Sequence, residues 1–243
     1  MSVLFSLIIG LGAALGLALV AQRAPEKKLS IWMNAGLWTL FGALLGARGV
    51  FVAVNWDYFQ AHLIEIPQIW LGGLSWPGAV SGALITLAFI ALVRKEALGG
   101  LADGVLPMGL PLIVAIWLAS WEAGTGYGAI APNTWWATPA VDEWGAWLPR
   151  WPLQPLGALA TLVIFLAIDR LHPRLKQPGE LSSLAFVGIA MTTFGLSFFR
   201  ADPGQFWRGW RLDTWAALAF MGLAVIFCVV AFWPRRKKVN LSV

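Results

Sequence analysis

Seven long apolar runs follow one another along the chain, and the polar and charged residues gather in the short stretches between them. The runs cover about residues 3–22, 31–54, 74–93, 104–121, 153–168, 182–199 and 214–233. A helix that crosses a bilayer takes roughly 20 mostly apolar residues, so each run predicts a spanning helix. The fifth is short and is expected to tilt or to extend at either end. No basic residue precedes the first run and a second follows it at once, a pattern unlike that of a cleaved signal peptide. Because no long polar linker intervenes, residues 1–243 read as a single all-α membrane domain.

Composition reinforces that reading. Hydrophobic residues make up 59% of the chain and charged residues 12%, against roughly 45–50% and about 25% in soluble domains. Charged side chains this sparse cannot cover a soluble fold of this size. The single cysteine, Cys228, lies within an apolar run. It excludes an internal disulfide and reads as a small buried hydrophobe.

The basic residues set the expected direction. Twelve of seventeen lie on one side of the predicted spans: Arg23, Lys27 and Lys28; Arg94 and Lys95; Arg170, Arg174 and Lys176; Arg235 to Lys238. The other side receives Arg150, Arg200, Arg208 and Arg211, and Arg48 falls inside the second span. By the positive-inside rule the N-terminus is expected outside and the C-terminus in the cytoplasm, as in a multi-pass plasma (inner) membrane protein of bacterial type. The net charge of +5 therefore marks a cytoplasmic rim facing anionic headgroups, with the Arg235–Lys238 cluster as a topological anchor. It gives no indication of nucleic acid as a partner.

Two external segments stand out. Residues 56–72 mix aromatic and aliphatic side chains with Asp57, Gln60, His62 and Glu65, a pattern that suits a short helix lying in the interface. Residues 122–152 hold five Trp, four Pro and four Gly, too punctuated for regular helix and too apolar for a solvated linker. A folded, Trp-rich cap half immersed in the outer headgroup layer is expected there. The sixteen tryptophans read as an interfacial belt, or as an aromatic site for a headgroup or peptide.

Polar groups inside a membrane are costly and point to function. Arg48 lies among Gly42, Gly46 and Gly49 near the outer end of the second span. It could clamp a lipid phosphate in two-pronged fashion, or serve as an anchor or a partner for a carbonyl or for Glu122. Gly72, Gly73, Gly78 and Gly82 open the third span; they allow tight helix packing or expose amides to an anion. Pro107 and Pro111 interrupt the fourth span, which runs into Gly124, Gly126 and Gly128 around Tyr127. Glu122 is the carboxylate near that turn: a general base, a partner for Arg48, or a surface residue. The chain has no cysteine pair, no His/Glu metal spacing and no serine nucleophile elbow, so neither a metal nor a cofactor is expected. His62 and His172 are assigned to opposite sides of the membrane.

With these segments in view, the chain resembles the prolipoprotein diacylglyceryl transferase family. The blocks that carry the resemblance are LFGALLGARGVFVAVNWDYF, IWLGGLSWPGAVSGAL, GLADGVLPMGLPL before the turn ending in Tyr127-Gly128, WPLQPLGAL, and FFRADPGQF after the sixth span. Members of that family move a diacylglyceryl group from phosphatidylglycerol to the thiol of a lipobox cysteine on a secreted precursor. The resemblance thus implies two partners, an anionic phospholipid and a lipobox-containing precursor protein. It also implies a site at the outer leaflet, with a cation for the departing glycerol phosphate and a means of forming thiolate.

The family's polar pattern is only partly present. Its His-Gly-Gly reads Pro77-Gly78-Ala79, and its Gly-Arg-x-Gly-Asn signature reads Ile116-Trp117-Leu118-Ala119-Ser120. The glutamate in its glycine turn corresponds to Thr125. Its His-Pro-Thr-Gln block reads Trp151-Pro152-Leu153-Gln154, and the following Glu is Gly157. Near the end of the sixth span, its Arg and Glu correspond to Thr193 and Ser197. Carried over are Gly46, Arg48, Tyr58, Gly78, Gly82, Gly124, Tyr127, Gly128, Gln154 and Arg200. On this pattern Arg48 and Arg200 bind the lipid phosphate, while Gly78, Gly124, Tyr127, Gly128 and Gln154 shape the site. Glu122 is the substitute base. Three classes stay open: a divergent transferase, a non-catalytic relative that binds lipid or lipoprotein or serves as a subunit of a membrane complex, and a small transporter or channel.

Overall fold

The computed structural model describes residues 2–132, 134–142 and 144–233. Its helices are α1 (Val3–Arg23), α2 (Leu29–Val54), the single turn α3 (Trp56–Phe59), α4 (Trp76–Arg94), α5 (Leu98–Val105), α6 (Gly109–Glu122), α7 (Leu153–Leu171), α8 (Glu180–Ser197) and α9 (Leu212–Phe232). Joined by a 3₁₀ turn over Leu106–Met108, α5 and α6 make one interrupted span, so seven segments are long and apolar enough to cross a membrane. The interruption falls at Pro107, which lacks the N–H that a continuous helix needs there. The fifth span extends to Leu171 rather than ending near residue 168. Leu11, Ile85, Phe89, Leu92, Val163 and Ile226 stand more than half exposed on these helices, as side chains that face lipid do.

Neighbouring helices pack in the order α2 on α4, α1 on α6, α6 on α7, α7 on α8 and α8 on α9. The closest approach is between α2 and α4, where Gly42 and Gly46 face Gly78 and Gly82. A methyl group added at Gly46 would lie 2.8 Å from the Gly82 Cα, and one at Gly78 would lie 2.7 Å from the Val50 Cβ. Without side chains between them the two backbones touch, the small-residue packing that holds helices together where hydrophobic burial adds little. Toward the opposite end, Ala35, Leu87, Ala91, Leu101, Ala102 and Val105 form a buried cluster beneath Trp32 and Phe227. There Asp103 of α5 accepts from the Gly179 and Ser182 amides at 2.7 and 2.8 Å and from the Ser182 hydroxyl at 2.7 Å. It thereby satisfies amides that the start of α8 leaves bare.

The two ends of the bundle differ in kind. One carries Arg23, Lys27, Lys28, Arg94, Lys95, Arg170, Arg174 and Lys176; the expected anchor Arg235–Lys238 lies outside the described residues. The other, here termed the cap end, carries two small hairpins. Strand β1 (Thr138–Val141) pairs antiparallel with β2 (Trp147–Arg150), and β3 (Phe206–Trp207) with β4 (Trp210–Arg211). The segment 56–72 is not one short helix: α3 gives way to 3₁₀ turns at Leu63–Glu65 and Ile69–Leu71. Pro67 breaks the pattern, Gly72 and Gly73 have φ of 95° and 73°, and the carbonyls released are taken up by Arg48.

Candidate functional site

Arg48 is buried on α2 and directed at the loop that leads into α4. Its Nε donates to the Ile66 carbonyl at 2.8 Å, Nη1 to Gly72 and Gly73 at 2.7 and 3.1 Å, and Nη2 to Glu65 at 2.6 Å. The guanidinium also lies 5.1 Å from the Phe59 ring centroid and 5.7 Å from that of Phe51. Four of the five N–H groups of an arginine are thus occupied by backbone carbonyls, the local partner weighed against a phosphate in the sequence. Beside it, the Tyr58 hydroxyl donates to the Glu65 carboxylate at 2.9 Å. That bond, and the carboxylate's charge, raise the phenol's pKa.

The glycine turn is the second part of the site. Glu122 ends α6, and the chain then passes through Gly124 and Gly126, with φ of 62° and 67°, to Tyr127 and Gly128. The turn is held from two directions. Ala201 N–H donates to the Tyr127 carbonyl at 2.9 Å, and Gly128 bridges Arg200 in antiparallel fashion. From beneath, the buried Gln154 donates to the Thr125 carbonyl at 3.0 Å. Tyr127, Gly128, Gln154 and Arg200 therefore do converge. Gly124 sits at their margin against Val141, and Gly78 lies apart in the α2–α4 seam. Glu122 is half-buried and accepts from the Ser2 hydroxyl at 2.7 Å. Among the described residues no ion pair or hydrogen bond joins it to Arg48 or Arg200.

Arg200 opens the third part, a quartet of alternating charge. It grips Asp202 with Nε and Nη2 at 2.9 and 2.6 Å, and its Nη1 reaches Asp213 at 3.1 Å. Arg211 contacts the same two carboxylates at 3.4 and 3.5 Å and donates to the Asp202 carbonyl. Burial works against the Arg200 charge, but the hydrogen bond to Asp202 and the charges of Asp202 and Asp213 outweigh it and raise the guanidinium's pKa. Asp213 has one further partner, the Trp76 indole N–H from the start of α4 at 3.1 Å. Below that bond, α4 faces α8 and α9 across an apolar crevice of about 70 Å³ lined by residues including Val80, Ala190, Thr193 and Phe220. Among the described residues Arg48 and Arg200 share no hydrogen-bond partner: Arg48 is bound to the loop before α4, and Arg200 reaches Asp213, which accepts from Trp76 at the start of α4.

Under the β1–β2 hairpin, Arg150 is paired with Asp142 at 3.1 Å and stacked 4.2 Å from the centroid of Tyr127. Backbone N–H groups of Ala146 and Trp144, together with Arg150, hold the Asp142 carboxyl below its usual range against the opposing effect of burial.

The family model for prolipoprotein diacylglyceryl transferase matches residues 3–230. The chain belongs to that family. It is 24% identical over 210 residues to the phosphatidylglycerol–prolipoprotein diacylglyceryl transferase of Thermosynechococcus vestitus, covering 82% of this chain and 77% of that protein. The protein of the same name from Rhodospirillum rubrum is 31% identical over 177 residues, 70% of this chain and 63% of that one. The Brucella ovis protein is 26% identical over 205 residues, 81% and 70%. Bacterial relatives and seven spans make this a multi-pass inner-membrane protein.

Within the family frame, two departures turn out to be one. The positions at which the resemblance places an arginine and a glutamate hold Trp117 and Gly157, and the Trp117 ring lies flat in the space a Gly157 side chain would occupy, with Cζ2 2.5 Å from an added Cβ. A large ring on α6 thus faces a residue without a side chain on α7. Trp151 stacks on Phe199 at a centroid distance of 5.1 Å and meets Trp136 at a tilt at 4.6 Å. Sequence reasoning missed Asp202, Arg211 and Asp213. A signal existed: Arg200-Ala201-Asp202 and Arg211-Leu212-Asp213 are two Arg-x-Asp pairs flanking one short hairpin.

Proposed function

We propose that this protein carries out its family's reaction in weakened form, passing the diacylglyceryl group of phosphatidylglycerol to a lipoprotein cysteine at the outer leaflet. The observation that carries the reading is the turn from Glu122 to Gly128, which begins at a carboxylate and ends paired with Arg200. In the reaction the cysteine sulfur attacks the diacylglyceryl carbon bonded to the phosphate oxygen. A C–S bond forms, the C–O bond breaks, and glycerol phosphate departs with that electron pair. Arg200 faces the developing charge by yielding part of its contact with Asp213. Arg48 contributes its charge and its remaining Nη2 hydrogen while holding the loop over residues 65–73. The thiol proton goes to Glu122, for which a carboxylate is a weak base; the rate is correspondingly low.

The test is lipidation of a lipobox peptide by the purified protein in phosphatidylglycerol vesicles, read as thioether by mass spectrometry. Slow transfer that Glu122→Gln abolishes is expected. Robust transfer indifferent to Glu122→Gln would remove Glu122 from the mechanism. Arg48→Ala is expected to weaken phosphatidylglycerol retention by roughly 1.5–3 kcal/mol, the scale of a charge-assisted hydrogen bond, measured by lipid exchange.

A second reading, a non-catalytic relative that binds lipid or lipoprotein, is favoured by the packing of Trp117 over Gly157 and by the mutual neutralisation of the Arg200–Asp202–Arg211–Asp213 quartet. Retained phosphatidylglycerol with no thioether under any condition selects it.

A further inference from the structure

The β3–β4 hairpin presents a cation that nothing in the reaction uses. Its two-residue turn is Arg208-Gly209, with φ of 50° and 82°. This is the positive-φ pair that a tight hairpin turn of this hand requires, and it lifts Arg208 clear of the bundle. Among the described residues of the cap end, Arg48 is spent on carbonyls, Arg150 on Asp142, and Arg200 and Arg211 on Asp202 and Asp213. Arg208 is exposed and, among the described residues, lies over the Trp207 ring, 4.8 Å from the centroid, with no ion-pair partner.

That contact is held in place from below. Trp215, on the first turn of α9, packs edge-on to Trp207 at 5.2 Å and against Trp210 at 5.1 Å, and its indole N–H donates to the Trp207 carbonyl at 3.0 Å. Phe198 meets Trp210 edge-on at 5.5 Å. The aromatic set nevertheless remains open outward: Phe206 is 66% exposed, Trp207 51% and Trp210 40%. An unpaired guanidinium therefore stands above a fixed, amphipathic aromatic surface, at the end of a lipid-facing helix. Trp at a membrane interface seats among headgroups and upper acyl chains, and an arginine there seeks phosphate oxygens.

We propose that the Phe206–Arg211 hairpin is a docking site for an anionic phospholipid of the leaflet at the cap end, with Arg208 on the headgroup phosphate and Phe206, Trp207 and Trp210 against the glycerol and upper acyl chain. Although Arg211 at the end of the hairpin joins the quartet, the contacts proposed for the lipid are those of Arg208, Phe206, Trp207 and Trp210, and they hold whether or not the chain transfers a diacylglyceryl group. The site's charge complements the anionic headgroup, since the neighbouring quartet is neutral and neither adds to nor cancels Arg208.

The test uses the full chain in nanodiscs of equal phosphatidylglycerol and phosphatidylcholine, with the retained lipids counted by native mass spectrometry. Wild type is expected to retain phosphatidylglycerol preferentially. Arg208→Gln should lower the phosphatidylglycerol-to-phosphatidylcholine ratio about three- to tenfold, Arg208→Lys should restore most of it, and Trp207→Ala should reduce retention of both lipids. Thermal stability of Arg208→Gln should match wild type, which separates loss of a ligand from loss of the fold. An unchanged lipid ratio in Arg208→Gln overturns the proposal. Displacement of the preference by millimolar inorganic phosphate overturns the lipid assignment and leaves a free-anion site. Peptide lipidation does not enter this measurement, so its failure and that of the transferase reading are distinguishable.

Discussion

The two faces of α4 make contact with their neighbours by opposite means. Toward α2 it shows Gly78 and Gly82, and the backbones meet with nothing between them. Toward α8 and α9 it shows Trp76 and Val80, leaves a crevice of about 70 Å³, and is pinned at the cap end by the Trp76–Asp213 hydrogen bond. A glycine seam has no side chain that can move aside, so it behaves as one rigid body. A junction held by a hydrogen bond over an unfilled crevice can part at its end without disturbing either helix. Pockets for drug-sized ligands are already roughly 300–1,000 Å³, so a phospholipid that reaches Arg200 along this crevice must widen it. The seam sets where α4 stands, and the Asp213 contact governs whether α8 and α9 stay against it.

The largest effect should come from the quartet. Asp202 is buried, and Asp202→Ala leaves Arg200 and Arg211 sharing Asp213. Breaking a buried pair by removing one partner costs about 3–5 kcal/mol, expected as a marked loss of thermal stability in nanodiscs. A wild-type melting curve would mean that the quartet does not hold the junction.

Overpacking the seam comes next. Gly82→Ala sets a methyl 2.9 Å from the Gly42 carbonyl carbon and 3.0 Å from the Gly46 Cα, both backbone atoms that cannot yield alone. A loss of about 1–3 kcal/mol is expected, against little change for Gly195→Ala, where nothing among the described residues beyond its own stretch of helix lies within 4 Å of the added methyl. Equal behaviour of the two variants would remove the contrast between the faces of α4.

Trp76→Phe is the mildest change. It deletes the indole N–H and keeps most of the ring, a cost of about 0.5–1.5 kcal/mol. Its more telling readout is access: with Cys228 replaced by serine, a cysteine placed at Ala190 in the crevice should react faster with a lipid-soluble thiol reagent in the Trp76→Phe background. Unchanged labelling would show that the indole does not latch the crevice.

The sequence by itself determined the membrane class, the number of spans and most of their limits, because spanning helices are set by local hydrophobic length. The bilayer demands that each segment satisfy its own backbone, and that demand is written residue by residue. The glycines at positions 42, 46, 78 and 82 were legible as residues that admit a close neighbour, a helix or an anionic group, and the α2–α4 contact shows that the neighbour is a helix. The polar residues were legible only as types. Whether Arg48 meets a phosphate or a carbonyl depends on where the loop over residues 65–73 folds back, and that loop is broken by Pro67 and two glycines rather than governed by a period. Whether Arg200 stands free or paired depends on Asp202 and Asp213, which the β3–β4 turn brings together across a gap in sequence. Trp117 reads in the sequence as a belt residue or as packing in place of a polar group, and the partner it packs on, Gly157, is visible only in the fold. Only the tertiary structure decided these partners, since a hydrogen bond or an ion pair is made by groups distant along the chain, and hydropathy carries no record of which groups meet.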